Sequence, residues 1–241
     1  MENTGYIVLS RQASFQRQMD VISNNIANAN TTGYKARHMM FEEHLSGGGT
    51  NGSAISMVNE AGQFTQTEQG PLQQTHNTFD FALQGPGFFK VEHSISGETY
   101  YTRAGNFTLN RNNELVTPMG HRVMGDNGAI VIPTEAKDIR VSKSGVINSS
   151  EGELGRFSVV EFDNQQGMRI YGQNLWATEQ LEQNAENTQL NQGMLEGSNV
   201  NTVTEMTNMI EVSRLYQMNQ NVIKNEHDRI RNAINKLGKI E

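Results

Sequence analysis

The run TVTEMTNMIEVSRLYQMNQNVIKNEHDRIRNAINKL, Thr202–Leu237, contains neither Pro nor Gly. Met209, Tyr216, Ile223, Ile230 and Leu237 recur every seven residues along it, and Met206, Ser213, Gln220, His227 and Ile234 fill a second register. Two registers at alternating spacings of three and four predict one long helix with an apolar seam. At 1.5 Å per residue it spans roughly 54 Å. Thr202, followed three residues later by Glu205, reads as a capping box, and Gly238 as a stop.

The other end of the chain reads alike. From Thr4 to Asn28 there is no Pro and no Gly after Gly5, and Val8, Gln12, Phe15, Met19, Ile22 and Ile26 alternate in spacings of four and three. This predicts a second helix, roughly 37 Å long. It ends in Asn28-Ala29-Asn30-Thr31-Thr32-Gly33, residues that favour caps and turns.

Between the two, the period shifts toward two. Phe79-Asp80-Phe81-Ala82-Leu83 alternates, as do parts of Phe157 to Phe162 and of Met168 to Trp176. Turn signals recur at Gly85-Pro86-Gly87, Asn112-Asn113, Asp126-Asn127-Gly128 and Ser150-Glu151-Gly152. Short strands with frequent turns predict a central all-β domain. The expected plan is α+β: an N-terminal helix in 1–30, an extended connector in 31–77, the β-domain in 78–176, a second connector in 177–201 and the C-terminal helix in 202–241. Gly47-Gly48-Gly49 marks a mobile stretch within the first connector. The two helices are expected to pair in a coiled-coil-like way.

Composition narrows the function. Of 241 residues only 35% are apolar, thin for a self-sufficient globule, while Asn and Gln number 27 and 18. Amides meet one another without like-charge repulsion, which suits a surface that faces copies of itself. A net charge of −7, with no Lys/Arg cluster, argues against nucleic acid as a partner. No apolar run is long enough to span a membrane, and the short run Tyr6 to Leu9 lacks the basic start and length of a secretory signal. The absence of Cys removes disulfides and thiolate metal sites. Neither terminal helix carries the basic polar face of a membrane-surface helix.

Chemistry-bearing motifs are scarce. His38 and His44 flank Glu42 and Glu43, but their six-residue spacing fits no helical ligand pair. No Gly-x-Ser-x-Gly elbow, P-loop or dinucleotide fingerprint occurs. The sequence thus predicts no catalytic residues, no metal and no cofactor.

The seams carry the argument instead. Burying one large apolar side chain is worth ~1.5–3 kcal/mol. A simple intrachain hairpin of the two helices would cover the seams, yet Leu9, Val21, Val212, Leu215 and Val222 lie off them and call for further neighbours. A secreted adhesin-like module holding a ligand in its β-domain is the alternative of a different class; it would resist proteolytic trimming at both ends, whereas assembling helices would not.

Three motifs, in order, resemble the flagellar rod and hook protein family. The first is Asp20-Val21-Ile22-Ser23-Asn24-Asn25-Ile26-Ala27-Asn28-Ala29-Asn30-Thr31-Thr32-Gly33-Tyr34-Lys35. The second is Asp80-Phe81-Ala82-Leu83-Gln84-Gly85-Pro86-Gly87-Phe88-Phe89 with Tyr101-Thr102-Arg103-Ala104-Gly105-Asn106-Phe107. The third is Gly193-Met194-Leu195-Glu196-Gly197-Ser198-Asn199-Val200-Asn201, continuing to Glu205-Met206 and Met209-Ile210. The opening Tyr6-Ile7-Val8-Leu9-Ser10-Arg11-Gln12 and the short length look most like the proximal rod members, with the distal rod as the alternative. Tyr34 stands where Phe is common, and Thr78-Phe79 where Pro-Leu is usual.

The resemblance implies a structural, non-enzymatic subunit of the basal-body rod. It would be exported by the flagellar type III apparatus without signal cleavage and partnered by copies of itself and other rod proteins. It would form a periplasm-spanning drive shaft around a central channel. Helical assembly needs complementary, non-identical faces, and the residues expected to supply them are those of the terminal helices. In the first these are Val8, Phe15, Met19, Ile22, Asn24, Asn25, Ile26, Asn28 and Gly33; in the second, Met206, Met209, Tyr216, Ile223, Ile230, Ile234 and Leu237. Asn24, Asn25 and Asn28 are expected either to satisfy carbonyls of the helix end and an adjacent chain, or simply to cap their own helix. Gly33 is expected to be left-handed. Gly85 and Gly87 would turn Phe88 and Phe89 into the β core, with Arg103 and Gly105 in the following motif. Arg103 is expected to brace its surroundings through a carboxylate or backbone carbonyls.

Overall fold

The computed structural model describes residues 2–46, 55–150, 152–172 and 174–237. Two long helices, α1 (Glu2–Ala27) and α2 (Thr202–Leu237), bracket a mostly β chain. The protein is α+β. It divides into two compact units: 1–27, 37–66 and 201–241 form a terminal unit, and 28–36 with 67–200 form a β body.

In the terminal unit, α2 starts differently from the expected capping box. Asn201 is the cap: its side-chain oxygen accepts the Val203 and Thr204 N–H groups at 3.1 and 3.2 Å. Glu205 lies one position too far along to close a box. It is buried instead and accepts from the Asn25 amide at 3.3 Å.

The helices run antiparallel, joined by Asn219 Nδ2 donating to the Val8 carbonyl (2.8 Å) and Gln12 Nε2 to the Tyr216 hydroxyl (3.1 Å). The seam of α2 uses the heptad register of Met209, Tyr216 and Ile223, all half-buried. Its second register is not the expected one. Glu205, Val212 and Asn219 are buried, whereas Met206, Gln220, His227 and Ile234 are exposed. The two readings differ by one residue, or 100° of helix. Polar Glu205 and Asn219 occupy seam positions, so an apolar pattern alone points to the wrong neighbour. Val212, expected off the seam, lies at its centre.

Residues expected to be an extended connector are largely a hairpin. β1 (Arg37–Ser46) pairs antiparallel with β2 (Ile55–Thr65) from Arg37 opposite Thr65 to Ser46 opposite Ile55, with a bulge at Met40/Phe41. Both strands contact α1. Polar, glycine-bearing strands hide their period, which is why they read as linker. Gly47-Gly48-Gly49 lies outside the described residues.

The β body centres on a ten-stranded sheet of antiparallel pairs. Before it come β3 (Leu72–Gln74) and β4 (Phe81–Gln84); β5 (Phe88–Glu92) and β6 (Thr99–Thr102) are its middle. Alternation sends Phe89, Val91 and Tyr100 into one apolar cluster and Phe88 and Tyr101 into another, so this sheet is covered on both faces. The second expected connector also folds back here. Gln189–Gln192 pairs with β4 and Met194–Glu196 with β3.

Candidate functional site

Two constructions merit description, one in each unit. In the β body, the three motifs converge on Glu196, which is fully buried. Lys35 Nζ donates to Glu196 Oε1 at 2.6 Å and to the Glu68 carbonyl at 2.7 Å. Arg103 Nη1 reaches Oε2 at 3.5 Å, and the Gly70 N–H donates to Oε1 at 3.1 Å. The Arg103 guanidinium also lies over the Phe88 ring, 4.8 Å from its centroid. Side-chain exposures are 4% for Lys35, 2% for Arg103 and 0% for Glu196. Burial pushes both the ammonium and the guanidinium below their ordinary pKa ranges, against the pull of Glu196.

Two glycines allow the backbones to approach closely. Gly33 has φ +68°; its N–H donates to the Glu196 carbonyl at 2.8 Å, and a Cβ there would lie 2.6 Å from the Ala104 nitrogen. A Cβ on Gly105 would lie 1.8 Å from the Phe81 carbonyl oxygen. Neither position accommodates a side chain without moving backbone. The turn at Gly85 (φ +125°) and Gly87 lies between β4 and β5, where the Gly87 N–H donates to Thr188 Oγ1 at 2.8 Å. Phe88 and Phe89 follow, both buried. The arrangement ties three distant chain segments into one fixed knot. Among the described residues Arg103 Nε has no hydrogen-bond partner. Among the described residues no group of three or more His, Cys, Asp or Glu is placed to hold a metal.

In the terminal unit, Ile22 is buried, and Val8, Phe15, Met19 and Ile26 are half-buried on α1. Asn25 is fully buried and used within its own chain. Its oxygen accepts the Arg37 N–H at 3.0 Å, and its amide donates to the Arg37 carbonyl at 2.8 Å. That pairing stitches α1 to the first residue of β1. Asn24 is exposed and accepts from Arg37 Nη2 at 2.5 Å. Asn28, which belongs to the β body, accepts from the Thr31 hydroxyl at 3.1 Å.

Val203, Met206, Ile210, Met218 and Val222 are 48–74% exposed and are spread over the half of α2 turned away from the seam, with exposed Glu211, Arg214 and Asn221 between them. Ile230 and Ile234 continue the seam direction and are also exposed. α1 begins at Glu2, shortly before Val8, whereas α2 continues from Asn219 to Leu237, so its last turns run past α1. Leu237 is helical, but its side chain lies outside the described set.

Sequence reasoning picked out Arg103 and Gly33 but missed Lys35 and Glu196 as a pair, together with Val212 and Asn219. Lys35 and Glu196 are 161 residues apart. The available signal was that the two carry opposite charges within motifs made mostly of uncharged residues.

No helix among the described residues is long and apolar enough to cross a membrane. Three family models match the chain: the flagella basal body rod protein model over residues 6–35, the flagellar hook protein FlgE/F/G D1 domain over 82–149, and the flagellar basal body rod FlgEFG protein C-terminal model over 191–236. Each coincides with one of the three motifs. The chain is 37% identical to the flagellar basal-body rod protein FlgF of Caulobacter vibrioides over 100% of both chains. It is 30% identical to that of Mesorhizobium japonicum over 99% of both. It is 32% identical to the flagellar basal-body rod protein FlgG of Bacillus subtilis, covering 95% of this chain and 97% of that one. The chain belongs to the flagellar basal-body rod protein family.

Proposed function

We propose that this flagellar basal-body rod protein is incorporated into the axial shaft through its two terminal helices, which pair in a coiled-coil-like seam and present a second apolar face to neighbouring subunits. The observation that carries this reading is the set Val203, Met206, Ile210, Met218 and Val222, all bare on the half of α2 away from the seam. So many large apolar side chains exposed on one helix are costly in water and mark a contact surface. The bare Ile230 and Ile234 add a socket where a neighbouring helix continues the seam.

The partners are further copies and other rod proteins, proximal and distal. Full-length similarity to the FlgF relatives favours the proximal rod. Export proceeds through the flagellar type III apparatus. The subunit works without catalysis, transmits torque and helps enclose the export channel, without binding nucleic acid or inserting into a membrane.

The test replaces Met206 and Ile210 together with Ser. Both side chains are more than half exposed, so the isolated subunit should unfold within about 0.5 kcal/mol of the parent. Cells carrying only this variant should build no complete rod and should not swim. Normal rods and swimming with the doubly substituted subunit would refute the assembly role of this face.

A further inference from the structure

We propose that Met206 and Met218, bare on the half of α2 turned away from the seam, are a methionine-oxidation site at which a peroxide or hypohalous acid blocks incorporation of the subunit; this rests on the assembly reading of that half of the helix. The chain has 12 Met and no Cys, so no thiol of its own competes for such an oxidant. Among the described residues the exposed methionines are Met40, Met119, Met206 and Met218, with Met206 and Met218 at 52% and 58%. By contrast Met168 is 7% exposed and packed in the second apolar cluster, and Met209 is half-buried in the seam. Met206 precedes Ile210 by four residues, and Met218 precedes Val222 by four, so each thioether shares a helix face with an exposed branched neighbour. The two methionines lie twelve positions apart, about 18 Å along the axis, so between them they reach most of the bare half.

Oxidation transfers a single oxygen atom. The sulfur lone pair attacks the peroxide, an S–O bond forms, the O–O bond breaks, and the oxidant leaves as water. With a hypohalous acid the O–halogen bond breaks, and halide and a proton leave. In either case the sulfur gives up two electrons and the oxidant takes them. The product sulfoxide is polar, and its oxygen accepts hydrogen bonds. In the free subunit that change is cheap, because water already surrounds both side chains. Against an apolar partner surface the sulfoxide oxygen loses its water without gaining a donor, which is the costly way to bury a polar group. Oxidation therefore acts on subunits that have not yet joined, while joined subunits shield both sulfurs. Methionine sulfoxide reductases remove the oxygen as water, oxidising a pair of thiols, and so restore the thioether. Met119 gauges intrinsic reactivity: it is 60% exposed in the turn from Thr117 to His121 of the β body, on the other unit from α2.

The test exposes the purified full chain to hydrogen peroxide and follows each methionine by mass-spectrometric peptide mapping, as a gain of about 16 Da. Met206 and Met218 should take up oxygen within about threefold of the rate of Met119 and at least about tenfold faster than Met168, while the circular dichroism of the chain holds. In cells, Met206→Gln with Met218→Gln, a permanent polar replacement of similar length, should leave the subunit folded and lower completed rods and swimming at least about tenfold. Met206→Leu with Met218→Leu should build rods, and should go on building them through a peroxide pulse, given at the onset of rod assembly, that lowers rod completion in the parent several-fold. Normal rods in the Gln pair, with rods blocked in Met206→Ser plus Ile210→Ser, would overturn the oxidation site alone. Normal rods in both would overturn the assembly reading with it. Equal sensitivity of the parent and the Leu pair to the pulse, or equal uptake at Met168 and Met206, would also overturn the proposal.

Discussion

The two units differ in how they dispose of apolar side chains. Among the described residues of the terminal unit only Ile22 and Val212 are buried hydrophobics, while Leu9, Met40, Phe41, Val203, Met206 and Ile210 stand exposed. In the β body the proportion reverses. Phe81, Leu83, Phe89, Val91, Phe107, Leu115, Val123 and Ile147 are each at most 1% exposed and pack in one cluster. A chain with 35% apolar residues cannot seal every part of itself. Here the apolar residues are concentrated in the β body, which closes its own core, while the terminal unit leaves many of its apolar side chains bare.

The sharpest way to break that contrast is at Glu196. Replacement by Ala leaves the Lys35 and Arg103 charges buried without a counter-ion, a loss of about 3–5 kcal/mol. Chemical denaturation monitored by the fluorescence of Trp176, buried in the second apolar cluster, should show it. A triple replacement, Lys35→Met, Arg103→Met and Glu196→Leu, removes all three charges and should recover most of the loss, because burying an ion pair is itself costly. If the single and triple variants unfold together at the parent's denaturant concentration, the knot contributes nothing to the stability of the β body.

Next comes Ile22→Ala on α1. Its side chain is buried in the terminal unit, and the expected cost is about 2 kcal/mol or slightly more. The effect should be local: limited proteolysis within α1 and α2 should accelerate, while the Trp176 transition remains in place. Coincident loss of both signals would show that the two units unfold as one and would remove the basis for the comparison.

The legibility of the sequence follows the same division. Both helices were readable to within two residues at their ends, because heptad spacing and the lack of Pro and Gly are local signals. The α2 seam was half readable. Met209, Tyr216 and Ile223 announced themselves, but Glu205 and Asn219 are polar groups at buried positions, stabilised by Asn25 and the Val8 carbonyl on the far helix. No one-dimensional pattern displays such partners. The hairpin β1–β2 was hidden for a related reason. Its residues gain their strand conformation from pairing with each other and from contact with α1, rather than from strong β propensity. At the Glu196 cluster, resemblance drew attention to the motifs, but only the fold showed that their charged members meet.

The smallest expected effect lies on the surface of the β body, where Lys90 donates to both Glu182 oxygens at 2.8 Å and the Tyr101 hydroxyl donates to one at 2.7 Å. Partial burial works to raise the Glu182 carboxyl, but the bonds from Lys90 and Tyr101, with the charge of Lys90, outweigh it and hold its pKa below the ordinary 4.5. A carboxyl depressed in the folded state contributes stability that is present above its unfolded value and is lost as pH falls through the folded one. Glu182→Gln should therefore cost about 0.2–1 kcal/mol at neutral pH, the range for a partly exposed pair. The difference from the parent should shrink as pH drops below about 4.5 and vanish once Glu182 is protonated in both states. Added salt should shrink it as well, because this pair is within reach of solvent ions, whereas the Glu196→Ala effect should barely respond. Matching salt responses at the two carboxylates would mean that Glu196 is far more accessible to water than its closed surroundings indicate.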